Sequence, residues 1–454
     1  MESGMHERKP MDERKLLAGL YAAGVALHLV FLALLLAVAP IDKWNWIGGD
    51  TGTYLEPAES FLSAGAFNRD GAPDCVRPIG YPLFLAGAIR LASALGADWR
   101  IVVYVAQAAI FALAYPAICF LGTALFGLGR RVALGCAAIA FLSGAFVAYV
   151  PIVLSDAMFA TFLLAGVVCG VVAVRNASWL WACLEMAVVV GAAHVRPQLA
   201  IFPLAAAGIQ WAYLRTRMER VDRRRKWIVA SMLAATLAGV EAPALRNWVH
   251  HGVFTPSRLG ASMYYDCLAK DVLRMKGQMA RYDAFNARWQ GLAPYEKLGE
   301  RLAAKKKEAF AIFREYPLEA ASHLPLYGVL NSIEMHWQSL FYLFRQTWYR
   351  DYEDGSVVWR PLPFLVSVPF TVFYGVAYLA ALWQAYRFRR QPLVLASALL
   401  FLVPYAFCGM SYQGARYRLW LDPFVLLVAA RTAAELARSL SVARGAEIRS
   451  GSVS

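Results

Sequence analysis

From Leu16 to Ala39 the chain carries no Asp, Glu, Lys or Arg, and such runs recur along its length. A bilayer needs roughly 20 apolar residues per helical span. A backbone inside it must satisfy its own polar groups, which leaves helices as the repeating unit for runs this long. The chain is therefore expected to be an all-α polytopic membrane protein. The rest of the composition agrees. Only 17% of the 454 residues are charged and 59% are hydrophobic, where a soluble chain carries about 25% charged residues. No cleavable signal peptide is expected, since the first run is too long for one. The net charge of +14 sits largely in short loops, where it sets topology. We expect no nucleic-acid partner.

Ten runs read as spans: Leu16–Ala39, Ile101–Gly127, Val132–Val150, Ala157–Val174, Trp179–Ala193, Gln198–Leu214, Trp227–Leu245, Leu362–Tyr386, Leu393–Cys408 and Leu419–Leu436. Basic residues orient them. Arg8, Lys9, Arg14 and Lys15 place the N-terminus (1–15) in the cytoplasm. Arg215 to Lys226 marks a cytoplasmic loop, and Arg387, Arg389 and Arg390 mark another. This parity holds only if Tyr81–Leu95 makes no full crossing, so it is expected to be re-entrant or interfacial. The moderately apolar segment Leu324 to Phe344, which carries Asn331, Glu334 and His336, is expected to be interfacial for the same reason. The resulting organisation is an N-terminal membrane module over 16–245, a mostly helical periplasmic loop over 246–361, further spans over 362–436, and a cytoplasmic tail, 437–454, expected to be disordered.

The first outer loop, about 40–100, holds the most distinctive chemistry. Trp44 and Trp46 read as interface anchors. Asp50 follows among Gly48, Gly49 and Gly52, which permit a tight exposed backbone. Tyr54, Leu55, Ala58, Phe61 and Leu62 then share one helical face, and Gly65 can stop that helix. Such a helix lies in the interface. The same outer face collects Asp74, Arg77, Asp156, His194, Arg196, Glu241, Arg246, His250, His251, Arg416 and Arg418. Arginines can bind a lipid phosphate in bidentate fashion, and a carboxylate can take a proton from an incoming hydroxyl. A leaving phosphate needs cations rather than an acid.

Plainer roles exist for each. Asp50 can be a loop carboxylate, Asp156 a helix-capping residue beside Ser155, and Arg196 and Arg246 snorkelling anchors. Glu241 can pair with Arg246. Glu185 can be an interhelix contact or part of a proton path, and His28 reads as packed. Cys75 and Cys267 fall in loops on one face, so a disulfide between them is open. The sequence has no P-loop, His-Glu-x-x-His, paired Cys-x-x-Cys or Asp-x-Asp motif.

Several segments carry a likeness: Gly49-Asp50; Arg77-Pro78-Ile79-Gly80-Tyr81-Pro82; Leu154-Ser155-Asp156-Ala157; Val195-Arg196-Pro197; Arg246-Asn247 with Gly252 to Ser257; Arg314 to Leu318; and Arg416-Tyr417-Arg418-Leu419 with Asp422-Pro423. In this order they resemble bacterial GT-C-class integral-membrane glycosyltransferases, the group that includes protein mannosyltransferases and lipid A aminoarabinose transferases. The resemblance implies a sugar donor on polyprenyl phosphate, used at the periplasmic face of the bacterial inner membrane. It implies Asp50 as base on the acceptor hydroxyl, with inversion at the sugar, and Asp156 as a second acidic position. Arg77, Arg196, Arg246, Arg416 and Arg418, with Tyr54 and His194, become candidates for binding donor phosphate or acceptor. The acceptor would be an envelope glycan, lipid or protein, chosen by the 246–361 loop. No cofactor is expected, and a divalent metal is left open. The competing readings are a flippase for a lipid-linked sugar and a non-catalytic partner of an envelope synthase.

Overall fold

The structure is a computed structural model, and it describes residues 13–38, 41, 50–143, 147, 149–196, 202–217, 221–322, 361–387 and 422–451. Trp44, Trp46, Gly48, Gly49, the 324–344 segment, the 393–408 run, Arg416 and Arg418 lie outside the described residues. The regular structure among the described residues is helical apart from one two-stranded hairpin.

Helix α1 (Glu13–Val38) buries only Gly24, His28, Leu32 and Leu35, a single stripe. The stripe meets α4 (Trp99–Phe111) and α5 (Ala114–Ala124). His28 is packed there: its Nε2 is 3.1 Å from Tyr115 Oη, and its carbonyl accepts from Tyr104 at 2.8 Å. The run read as one span over 101–127 thus has two helical pieces, parted at Ala112 and Leu113. Pro116 lies just inside the second piece and has no N–H for residue 112.

Between α1 and α4 lie α2 (Gly52–Ala64), the hairpin β1 (Asn68–Arg69) and β2 (Ala72–Pro73), and α3 (Gly80–Leu95). Helix α2 buries Tyr54, Pro57 and Ala58 and stops at Gly65, which has φ 69°. Asp70 and Gly71 turn the hairpin with φ 51° and 77°, both left-handed, as a tight Asp-Gly hairpin turn requires. Helix α3 is only 16 residues, about 24 Å long, so it is shorter than a hydrocarbon core of about 30 Å. The Tyr81 hydroxyl donates to Gln107 Oε1 at 2.9 Å. Gln107 lies about a third of the way along the Trp99–Ala124 run, so α3 doubles back along its first part only.

Helices α6 (Arg130–Leu142), α7 (Asp156–Asn176), α8 (Trp179–Val195), α9 (Phe202–Arg217), α10 (Arg223–Val240) and α11 (Ala242–His251) complete the N-terminal bundle. The most enclosed is α7, which packs on α4, α5, α8 and α9. Gly170 on α7 leaves room for Gln210 of α9, whose Nε2 a Cβ there would meet at 2.3 Å. Gln210 in turn donates to Glu185 Oε1 on α8 at 2.9 Å. Glu185 is therefore an interhelix polar contact.

Beyond α11 the chain forms a smaller helical layer. It contains α12 (Leu259–Ser262), a π-helical segment (Met263–Ala269), α13 (Lys270–Met275), α14 (Met279–Ala287) and α15 (Leu298–Glu315). Its own core is Tyr265, Val272, Leu273, Phe285, Ala309 and Ile312. Finally α16 (Pro361–Arg387) and α17 (Asp422–Gly451) pair with each other, and α17 also packs on α5 and α6. The Ala- and Arg-rich tail expected to be disordered is helical to Gly451, in keeping with the high helix propensity of Ala, Arg, Leu and Glu.

Among the described residues, four helices are long and apolar enough to cross a membrane: α1, the Trp99–Ala124 run, α7 and the Arg223–His251 run. Helices α3 and α8 and the stretch Val372–Gln384 of α16 are apolar but shorter. Helix termini sort the polar groups by end. Arg225 donates to the carbonyls of Val174 and Arg175, placing the start of α10 beside the end of α7. Asp156 and Arg196, at the start of α7 and the end of α8, lie at the opposite end.

Candidate functional site

The segment that enters α2 is pinned to the irregular stretch 150–155. Thr51 Oγ1 donates to the Val153 carbonyl at 2.9 Å, and Tyr54 Oη is 2.8 Å from Ser155 Oγ. Asp50 sits just outside these anchors. Its Oδ1 is 2.8 Å from Arg77 Nη2; the Asp50 side chain is 36% exposed and that of Arg77 only 7%. Arg77 Nε also donates to Thr53 Oγ1 at 2.8 Å, and Thr53 Oγ1 donates to the Asp50 carbonyl at 2.6 Å. The Arg77 guanidinium lies 4.5 Å over the Tyr54 ring, and Tyr54 packs edge-on against Tyr81. A buried, planar cation thus orients one oxygen of a carboxylate that reaches solvent.

A second acidic group holds Arg77 from behind. Asp74 Oδ1 accepts from Val76 N at 2.8 Å, and Oδ2 accepts from Arg77 N at 3.2 Å. Burial pushes the Asp74 carboxyl above its usual range, opposed by those two N–H groups and by the Arg246 and Arg69 charges. Tyr295 Oη is 3.3 Å from Asp74 Oδ1, and burial and Asp74 both raise that phenol.

Arg246 reaches this loop rather than Glu241. Its Nη2 donates to the Asp74 carbonyl and to Asn247 Oδ1, the latter at 3.0 Å. His251 Nε2 donates to the Pro73 carbonyl at 2.7 Å. Ser257 Oγ donates to the Val76 carbonyl at 2.5 Å, and Arg258 N to the Cys75 carbonyl at 3.0 Å. The chain around 246–258 therefore straps down the first loop over residues 73–77. Arg246 Nη2 also lies 3.5 Å from the Arg77 carbonyl.

Asp156 and Arg196 form a separate ion pair, Oδ1 to Nη1, with side chains 1% and 3% exposed. Arg196 also lies 5.8 Å from the Phe159 ring centroid. The pair joins the start of α7 to the end of α8. Ser155 makes no side-chain cap to α7. His194 contributes its backbone: a Cβ at Gly80 would lie 2.6 Å from the His194 carbonyl oxygen, so α3 begins in close contact with the end of α8.

Of the residues singled out in sequence, the structure brings Asp50, Tyr54, Arg77, Asp74 and Arg246 into one network. It places Asp156 and Arg196 in another. Cys75 and Cys267 are not joined to each other. Cys75 packs with Ala261, Leu298 and Leu302, while Cys267 Sγ lies 3.9 Å from Met263 Sδ on the π-helical segment. Ser257, Arg258 and Tyr295 carry the strap without having stood out in sequence. The Gly252–Ser257 stretch is a local signal for Ser257 and Arg258 alone. Among the described residues, no three His, Cys, Asp or Glu side chains converge. No protein-family model matches the chain, and no curated protein matches it.

Proposed function

We propose that this chain is a multi-pass inner-membrane glycosyltransferase that moves a sugar from a polyprenyl-phosphate donor to an envelope acceptor. In this reading about ten helices span the bilayer, and the end bearing Arg175 and Arg225 faces the cytoplasm. The Asp50 end faces the periplasm. The acceptor hydroxyl attacks the anomeric carbon from the face opposite the phosphate. Asp50 takes the hydroxyl proton, the glycosidic bond to phosphate breaks, and the lipid phosphate leaves as an anion. Arg77 holds the Asp50 carboxylate in register, and Arg416 and Arg418 are candidates for the leaving phosphate. Arg196 and Arg246 serve first as scaffold, because their guanidinium groups are committed to Asp156 and to the loop carbonyls.

The observation that carries the reading is the Asp50–Arg77 pair. A solvent-reaching carboxylate meets a buried arginine in the chain between α1 and α3, at the end of the bundle away from Arg175 and Arg225. The test is transfer of radiolabelled sugar from a panel of polyprenyl-phosphate sugars to an envelope extract, in proteoliposomes of wild-type and Asp50→Asn protein. Wild-type transfer with a loss of about a hundredfold or more in the variant is expected for a missing general base. Equal transfer by both proteins would place the base elsewhere. No transfer with any donor would overturn the reading.

A further inference from the structure

Arg258 and Arg301 approach each other at the seam between the first outer loop and the smaller helical layer. Arg258 Nη1 donates to the Pro294 carbonyl at 3.4 Å, and Arg301 Nη2 donates to the same oxygen. Two guanidinium groups thus converge on one neutral acceptor. Among the described residues neither is bonded to a carboxylate. The neighbouring acids are otherwise committed: Asp74 accepts from Val76, Arg77 and Tyr295, and Glu296 accepts from Ala293 N at 3.3 Å. Glu300 precedes Arg301 on α15, and adjacent helical residues do not face each other.

Holding two like charges side by side is unfavourable. Burial and the Arg258 charge both lower the pKa of Arg301. Yet the pair is built, not incidental. The Arg258 backbone N–H is fixed to Cys75, and its guanidinium lies 5.4 Å over the Tyr295 ring. Tyr295 is stacked on His251 at 4.9 Å. Arg301 is set by α15, whose Leu298 and Leu302 pack on Cys75. Both arginines are half-buried, so their remaining N–H groups are held in place but reachable. Each guanidinium has five N–H donors, and one carbonyl oxygen uses few of them.

We infer that Arg258 and Arg301 form a binding site for a phosphate group, separate from the Asp50–Arg77 pair. Phosphate suits it because its oxygens can accept from both forks at once and its charge relieves the repulsion. The phosphate belongs either to a lipid headgroup in the outer leaflet or to a soluble phosphate ester. The inference does not depend on glycosyl transfer.

The experiment is isothermal titration of the full chain in neutral detergent with pyrophosphate, with short-chain phosphatidic acid, and with short-chain phosphatidylcholine. Saturable binding of at least one of the two anions is expected, with the zwitterion weaker. Tighter phosphatidic acid marks a lipid source, and tighter pyrophosphate a soluble one. Arg258→Gln and Arg301→Gln should each weaken binding by about tenfold, the size of one lost charge-assisted contact. Arg288→Gln, which removes an arginine lying over Phe285 in the same layer, should change nothing. If the Gln variants fail to fold, Arg258→Lys with Arg301→Lys keeps both charges and removes the forks, and binding should still weaken. No saturable binding of either anion, unchanged affinity in the paired variant, or an equal loss in Arg288→Gln would overturn the site.

Discussion

Arg77 Nη2 lies 2.8 Å from Asp50 Oδ1, while Nε of the same guanidinium donates to Thr53 and its plane covers Tyr54. The entry to α2 and the end of the first loop are therefore closed by one side chain. Lysine carries the charge but cannot supply two directed donors and a stacking plane together. Arg77→Lys should melt between wild type and Arg77→Ala in detergent. Because Asp50 is about one-third exposed, solvent screens the ion pair, and the Ala variant should lose only about 1–2 kcal/mol. Equal melting of the Lys variant and wild type would show that charge alone closes the loop.

Gly80 and Gly87 lie on one helix but in different surroundings. A Cβ at Gly80 would press on the His194 carbonyl at 2.6 Å, whereas nothing lies within 4 Å of one at Gly87. Gly80→Ala must separate α3 from the end of α8 and should cost about 1–3 kcal/mol. Gly87→Ala should be neutral or stabilise by up to about 1 kcal/mol, from helix propensity. Thermal melts of the two variants test this directly, and matched melting temperatures would remove the close approach.

Local signals in the sequence carried well into the structure. The short apolar run Tyr81–Leu95, expected to make no full crossing, is α3, Gly80–Leu95, and the Tyr54-to-Leu62 pattern with Gly65 is α2. Both depend on periodicity and a stop residue within a dozen positions. Pairings over long separations were not legible. Arg196 finds Asp156 forty residues away, and Arg246 finds the Asp74 carbonyl 172 residues away in place of nearby Glu241. Span-end arginines look alike in sequence whether they snorkel, pair or strap a loop. The Asp70-Gly71 dipeptide is a readable hairpin-turn signal in the sequence.

Cys75 and Cys267 should differ sharply as thiols. Burial pushes the Cys75 thiol up to about 11 from an ordinary value near 9.0, so its thiolate at neutral pH falls roughly a hundredfold. Cys267 is half-buried beside Met263. In the native protein, maleimide should label Cys267 well before Cys75, and Cys75 labelling should accelerate as pH rises towards 11. Non-reducing mass mapping should recover both as unlinked peptides. A Cys75–Cys267 crosslink would contradict the packing of Cys75 under Leu298 and Leu302.

The Asp156–Arg196 pair is almost fully enclosed, and that decides how its variants should behave. Removing one partner of a buried pair leaves a charge without compensation and costs about 3–5 kcal/mol. Removing both leaves a cavity but no orphaned charge. Asp156→Ala and Arg196→Ala should each destabilise the protein strongly, and the double variant should lose less than the sum of the two. The four melts form a double-mutant cycle, with an expected coupling of about 1–3 kcal/mol. Additive losses would mean that the two side chains act separately. In that case Asp156 would be free for chemistry of its own; a large coupling instead makes it the post on which the end of α8 is fixed.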